Sequence, residues 1–166
     1  MLVIGCDPGL TGAISLICSQ RGLLECEDLP TCANGQNTGK MLQWIDAAAL
    51  QAMLWDWSVR HGFAEHSVHA CIERPIPMPS MPSTTTASSF DTFGVIRALV
   101  TGRVAADGMT VIDPSDWKKL FGLNRDKDAS RACALRLYPE APVKLAKHHN
   151  RAEAILIGHW LLREVA

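Results

Sequence analysis

The sequence lacks the marks of several protein classes. No apolar run reaches the roughly 18 to 20 residues that a membrane-spanning helix needs, so no membrane association is expected. The six cysteines, Cys6, Cys18, Cys26, Cys32, Cys71 and Cys133, include no CxxC pair. A first strand that begins almost at Met1, with no signal peptide, adds to the expectation of a reducing, cytoplasmic setting. His66, His69 and Cys71 lie on a segment about to become a strand and have no fourth partner nearby, which argues against zinc. An excess of one charge is missing too. Sixteen Lys and Arg stand against seventeen Asp and Glu, a net charge of -1, which excludes coating nucleic acid by bulk charge alone. There is no internal repeat and no linker, and 166 residues at 48% hydrophobic content hold one substantial core. A single domain over residues 1–166 is expected.

What charge there is falls unevenly. Residues 1–73 carry three Lys or Arg against eight Asp or Glu, whereas residues 74–166 carry thirteen against nine. A polyanion would meet the second half.

Residues 2–7 form an apolar run ending in Pro8-Gly9, and residues 11–18 form a second run that the turn folds back on the first. Residues 22–29 can add a third strand, and residues 31–40 read as a loop. From residue 41 to 61, apolar residues recur at helical spacing and Gly62 stands ready to end the helix. Within it, Leu42, Trp44, Trp55 and Trp57 are core or interface. Residues 68–73 read as a buried strand, and the prolines of 75–82 then forbid ladders and helix interior, leaving a stiff loop. Ser83 or a following Thr can cap a helix to about Val104, with Phe90, Phe93, Ile96 or Val95, and Leu99 or Val100 along one face. Residues 109–112 are a further strand. Asp126 can cap a helix ending before Pro139, and Asn150 a last one to about Arg163. The order β-β-β-α-β-α-β-α-α predicts an α/β fold with a central five-stranded mixed sheet flanked by helices.

Three carboxylates could carry chemistry. Asp7 ends an apolar strand and precedes Pro-Gly-Leu-Thr-Gly, a turn with little side-chain bulk. It either faces a shared cavity or caps the turn through backbone N–H groups. Glu73 repeats the arrangement on a second strand. An ion pair with Arg74 is the plain alternative, weakened because neighbours in an extended chain point to opposite faces. Buried-strand carboxylates are expensive unless paired or bound to metal, so two of them in one sheet favour a metal. Glu153 opens the last helix. Asn150 stands three residues before it, the spacing of a capping box, while His149 and Asn150 can also share a helical face with it.

A strand ending in Asp-Pro-Gly, a mid-chain strand ending in Glu, and a last helix opening Arg-Ala-Glu-Ala resemble the RuvC-type Holliday-junction resolvases, especially their phage-borne branch. Residues 111–119 and 126–131 resemble segments of that branch as well. The resemblance spans nearly the whole chain and implies a ribonuclease-H-like fold and a homodimer that nicks symmetric strands of a four-way DNA junction in a bacterial or phage-infected cytoplasm. It also implies two Mg²⁺ or Mn²⁺ ions per active site and no nucleotide cofactor. Carried over by position, Asp7 would bridge the metals, and Glu73 and Glu153 would complete their shells. Two such ions stabilise both the attacking and the leaving oxygen. The chain departs from the commoner family pattern in having Glu153 where Asp is usual and no fourth acidic ligand, so His149, or less favourably Asn150, must substitute.

Candidate DNA contacts are Arg74, Lys118, Lys119, Arg125, Lys127, Arg131, Lys144, Lys147 and Arg151. The proline loop with Met78 and Met81, or Phe90 beyond it, is either a junction wedge or a rigid connector. Three rivals remain. An actin-like ATPase or sugar kinase shares the opening strand and turn, but such proteins need a second half that the chain lacks. A ribonuclease on RNA–DNA hybrids would use nearly the same carboxylates. A weakly active or non-catalytic junction-binding protein would account for the missing fourth carboxylate.

Overall fold

The computed structural model describes residues 1–33, 43–77, 79–105, 107–124 and 127–165, without the side chain of Lys127. Met78, Arg125, the expected cap Asp126, the Lys127 side chain, Leu42 and most of the expected 31–40 loop lie outside the described residues.

Five strands build the main sheet: β1 (Leu2–Asp7), β2 (Ala13–Cys18), β3 (Gly22–Asp28), β6 (Val68–Glu73) and β7 (Met109–Ile112). Their order is β3-β2-β1-β6-β7. The β1–β2 and β2–β3 pairs are antiparallel, and the β1–β6 and β6–β7 pairs are parallel, so the sheet is mixed as expected. β1 and β2 are buried along their whole length, which explains why they read as continuous apolar runs without alternation.

Helices cover both faces. α1 (Ala47–Arg60) and α2 (Ser83–Thr101) bring Leu50, Leu54, Trp57, Ile96 and Val100 onto Leu2, Ile4 and Cys6 of β1. On the other face, α3 (Pro114–Leu120), α4 (Lys127–Leu137) and α5 (His149–Val165) pack Trp117, Ala134, Ile155 and Leu156 around Val3, Cys71 and Ile112. α5 crosses β1 at contact distance. A Cβ on Gly5 would lie 2.2 Å from the Ala154 carbonyl oxygen, so only glycine admits the helix there.

The structure corrects several local expectations. The helix begins at Ala47, not residue 41, because Asp46 accepts the Ala49 N–H at 2.9 Å as its N-cap. Before it, β5 (Gln43–Ile45) pairs antiparallel with β4 (Thr31–Ala33), a ribbon that the apolar spacing of 41–45 concealed. Trp57 is core, whereas Trp44 and Trp55 are exposed. Pro82, not Ser83 or a threonine, stands at the N-cap of α2 and makes no side-chain cap bond. α2 stops at Thr101 before Gly102, and Phe90, expected along its buried face, is 43% exposed. The short helix α3 was not anticipated. Among the described residues, no helix is long and apolar enough to cross a membrane.

Candidate active site

The parallel register of β1 and β6 pairs Gly5 with Cys71 and Cys6 with Ile72. One further step sets Asp7 beside Glu73 at the carboxyl ends of adjacent strands, about 4.8 Å apart across the ladder. Alternation puts Asp7 on the face of Val3 and Glu73 on that of Cys71, the face that α5 covers. α5 lays Ala154 over Gly5 and so delivers the preceding residue, Glu153, to the same end of the sheet. Three carboxylates distant in sequence are thus brought toward one end of the sheet.

Their surroundings come mainly from α3. The fully buried Trp117 donates its indole N–H to Glu73 Oε2 at 2.6 Å, and its neighbour Lys118 sets Nζ 3.7 Å from Glu153 Oε1 and 4.9 Å from the Trp117 ring centroid. Ser130 of α4 donates to Glu153 Oε1 at 3.5 Å. Burial raises the Glu73 carboxyl above its ordinary range. The Trp117 bond and the Lys118 charge pull it back, and the Glu153 charge pushes it up again. Asp7 is only 9% exposed.

Glu153 is therefore held by Lys118 and Ser130 and does not close a capping box. α5 already begins at His149, continuing a 3-10 turn, and Asn150 is no cap: its amide donates to the carbonyl and hydroxyl oxygens of Thr11. That bond ties the start of α5 to the turn following Asp7. His149 stands one helical turn before Glu153, with Nδ1 3.3 Å from the Ala146 carbonyl oxygen.

Of the expected DNA-contacting cations, three are engaged inside the fold. Lys118 faces Glu153. Arg131 ties α4 to the Val143 and Lys144 carbonyls and to Asp128, and Arg151 forms a two-pronged bond to Asp28 at 2.6 and 2.9 Å. Arg74 lies 3.7 Å from Asp113 at the surface, while Lys119, Lys144 and Lys147 are exposed. Sequence reasoning missed Trp117 and Ser130, which carry no local signal; only tertiary placement shows their role.

No family model matches the chain, and no curated protein does. Solved structures do. A structure described as T. thermophilus RuvC in complex with Holliday junction substrate superposes with a TM-score of 0.64 at 15% identity, covering 100% of this chain and 96% of that one. A Thermus thermophilus RuvC structure gives 0.61 at 15% identity, covering 99% and 97%. The chain has the RuvC fold.

Within this RuvC fold the donor set suits a hard divalent cation, since carboxylate oxygens are what Mg²⁺ and Mn²⁺ prefer. Glu73 and Glu153 are close enough for their charges to interact, and Lys118 already offsets part of that charge. Among the described residues, however, no three His, Cys, Asp or Glu side chains converge on a single ion position.

Burial of Glu73 has a stability signature. Its folded state favours the protonated carboxyl, so ionisation withdraws stability as pH rises above the ordinary value of 4.5. Glu73→Gln can still accept the Trp117 N–H, and the variant is expected to melt ~2–4 °C above wild type at neutral pH, the shift that ~1 kcal/mol gives in a chain of this size. At about pH 3.5, where both states of wild type hold the proton, the two proteins should melt together. Thermal denaturation at both pH values decides it; a gap of equal size at both would remove ionisation as the cause.

Proposed function

We propose that the chain is a metal-dependent endonuclease that resolves four-way DNA junctions by paired symmetric nicks, acting as a homodimer in the cytoplasm. What supports this is a RuvC fold in which Asp7 and Glu73 end adjacent strands and the Glu153 charge acts on Glu73 from α5. The junction enters from the neighbour whose description names a Holliday junction substrate. The phage-borne branch rests on the sequence segments 111–119 and 126–131 alone.

Asp7, Glu73 and Glu153 would hold two Mg²⁺ or Mn²⁺ ions, with His149 completing the set. The Asn150 amide nitrogen is committed to Thr11, which leaves its Oδ1 as the alternative fourth donor. When bound, such ions would supply the activation of the attacking water and the stabilisation of the leaving oxygen. The chain's own residues do the rest. Trp117 fixes one oxygen of Glu73, Lys118 and Ser130 orient Glu153, and Asn150 keeps the Asp7 turn in register with α5. Arg74, Lys119, Lys144 and Lys147 remain to contact phosphates, giving position and salt dependence without sequence readout.

The deciding assay sets a labelled immobile four-way junction beside linear duplex and an RNA–DNA hybrid in Mg²⁺ and in Mn²⁺. Paired nicks on the junction are expected. A junction bound but uncut in both metals would instead indicate a non-catalytic binding protein, and cleavage of the hybrid alone a ribonuclease. The wedge is carried forward on Met81 and the exposed Phe90, since Met78 is outside the described residues. Replacing Met81 and Phe90 with Ala is expected to slow junction cutting at unchanged junction affinity; undiminished cutting would remove the wedge.

A further inference from the structure

Just before α5 the chain makes a short, tightly fixed turn. Val143 is fully buried, whereas residues 144–147, Lys-Leu-Ala-Lys, are all exposed. Leu145 is 55% exposed although its backbone is committed. Its carbonyl accepts the His148 N–H at 2.9 Å and so opens the 3-10 turn (Ala146–His148) that runs into α5. Arg131 of α4 clamps the residues before it, donating Nε to the Val143 carbonyl at 3.1 Å and Nη2 to the Lys144 carbonyl at 2.8 Å. Asp128 holds the same guanidinium at 2.6 Å. Two exposed lysines therefore flank an exposed leucine on a backbone whose carbonyls at 143, 144 and 145 are all bonded.

The clamp also sets this turn against the carboxylates. Ser130, the residue before Arg131, donates to Glu153, and the 3-10 turn leads into the start of α5, where Asn150 holds the turn after Asp7. Adjacent residues of α4 thus reach one to the carboxylate and one to the Lys-Leu-Ala-Lys turn. A strand lying on that turn would be held in register with Glu153.

Resting on the nuclease reading above, we propose that Leu145 packs on one deoxyribose of the bound strand, between phosphates held by Lys144 and Lys147, and so makes this turn a sensor of the sugar. A nucleic-acid strand alternates charged phosphate with neutral sugar, and the order cation, apolar, cation is its complement. The two kinds of sugar differ at the 2′ position, where DNA offers a methylene and RNA a hydroxyl that donates and accepts. Against Leu145 the methylene is buried favourably, whereas the hydroxyl loses water and gains no partner. Base edges are not the target. Lysine alone among these four side chains forms hydrogen bonds, and a donor-only point charge suits phosphate.

The test uses a labelled immobile four-way junction with a single ribonucleotide moved through successive positions near the branch, in symmetry-related strands. It is titrated with Asp7→Asn protein so that no strand is cut, while wild type is tried for cleavage of the all-DNA junction in Mn²⁺. At one position the 2′-hydroxyl is expected to weaken binding about tenfold, the cost of one hydroxyl buried without a partner. A 2′-fluoro sugar there, which shifts the pucker in the same direction without adding a donor, is expected to cost little. Adding Leu145→Asn, whose amide can bond the hydroxyl, is expected to bring the ribose and deoxyribose junctions within about twofold of each other, with melting unchanged. Lys144→Ala and Lys147→Ala should weaken both junctions alike and each lower the salt slope by about 1. If the junction binds but no position tells ribose from deoxyribose, or fluorine costs as much as hydroxyl, or the discrimination survives Leu145→Asn, the sugar contact is refuted and the nuclease reading is untouched. If wild type leaves the all-DNA junction uncut, the nuclease reading falls whatever the sugar result, and if the junction does not bind at all, both fall.

Discussion

Asp7→Asn is expected to leave the fold intact and to lower junction cleavage by at least about 10³-fold, measured as nicked product per unit time in Mg²⁺ and in Mn²⁺. The substitution keeps size, shape and one acceptor oxygen and removes only the charge. Asp7 is nearly buried at the end of β1, with Glu73 beside it across the ladder, so its carboxylate stands where the charge would serve a bound divalent cation. A merely turn-capping Asp7 would predict the reverse pattern: activity kept and melting temperature lowered. The two readouts, rate and melting, therefore separate the site from the turn.

The second large effect concerns the frame. Gly5→Ala is expected to cost about 3–5 kcal/mol or to prevent folding outright. The new methyl would sit 2.2 Å from the Ala154 carbonyl oxygen, 2.4 Å from the Gly158 nitrogen and 2.7 Å from its Cα, all of them backbone atoms that no rotamer change can move. Relief requires lifting α5 off β1, which strips Ile155, Leu156 and Ile157 from the core and displaces Glu153. Gly158→Ala supplies the comparison. Its methyl would meet the tip of Ile17 at 3.1 Å and Gly5 backbone at 3.3 Å, so a smaller loss is expected in chemical denaturation. If the two variants proved equally stable, the contact would not be the constraint that the geometry makes it.

Those two predictions draw on different layers of legibility. β1 and β2 were readable because buried strands are apolar throughout, β6 and β7 because they are short, mostly apolar segments, and Asp7 and Glu73 because a carboxylate at the end of such a run breaks the pattern. α3 was not. Seven residues opening with proline are too few to show a helical period, so Trp117 drew no role and Lys118 read as a phosphate contact, although together they hold Glu73 and Glu153. Arg131 and Arg151 looked like phosphate contacts for a related reason: their partners, the Val143 carbonyl and Asp28, are 12 and 123 residues away. Asn150 at cap spacing was a reasonable local inference, overridden by a tertiary partner, Thr11, at the other end of the chain. Local spacing announced which residues were unusual; only the packed sheet decided what each one touches.

The seating of α5 on β1 also sorts the molecule by its opening rates. Asp7 and Glu153 ride on the strand and helix that share the tightest backbone approach, and freeing either would unmake most of one core. Amide protons there should exchange with solvent only through global unfolding. The first turns of α2, without a side-chain cap and with serine and threonine where the core half has isoleucine and valine, have far less apolar burial to hold them and should exchange by local fraying. The helix start that carries the proposed wedge is then the compliant part, and the carboxylates that would act on the DNA sit in the part that does not yield.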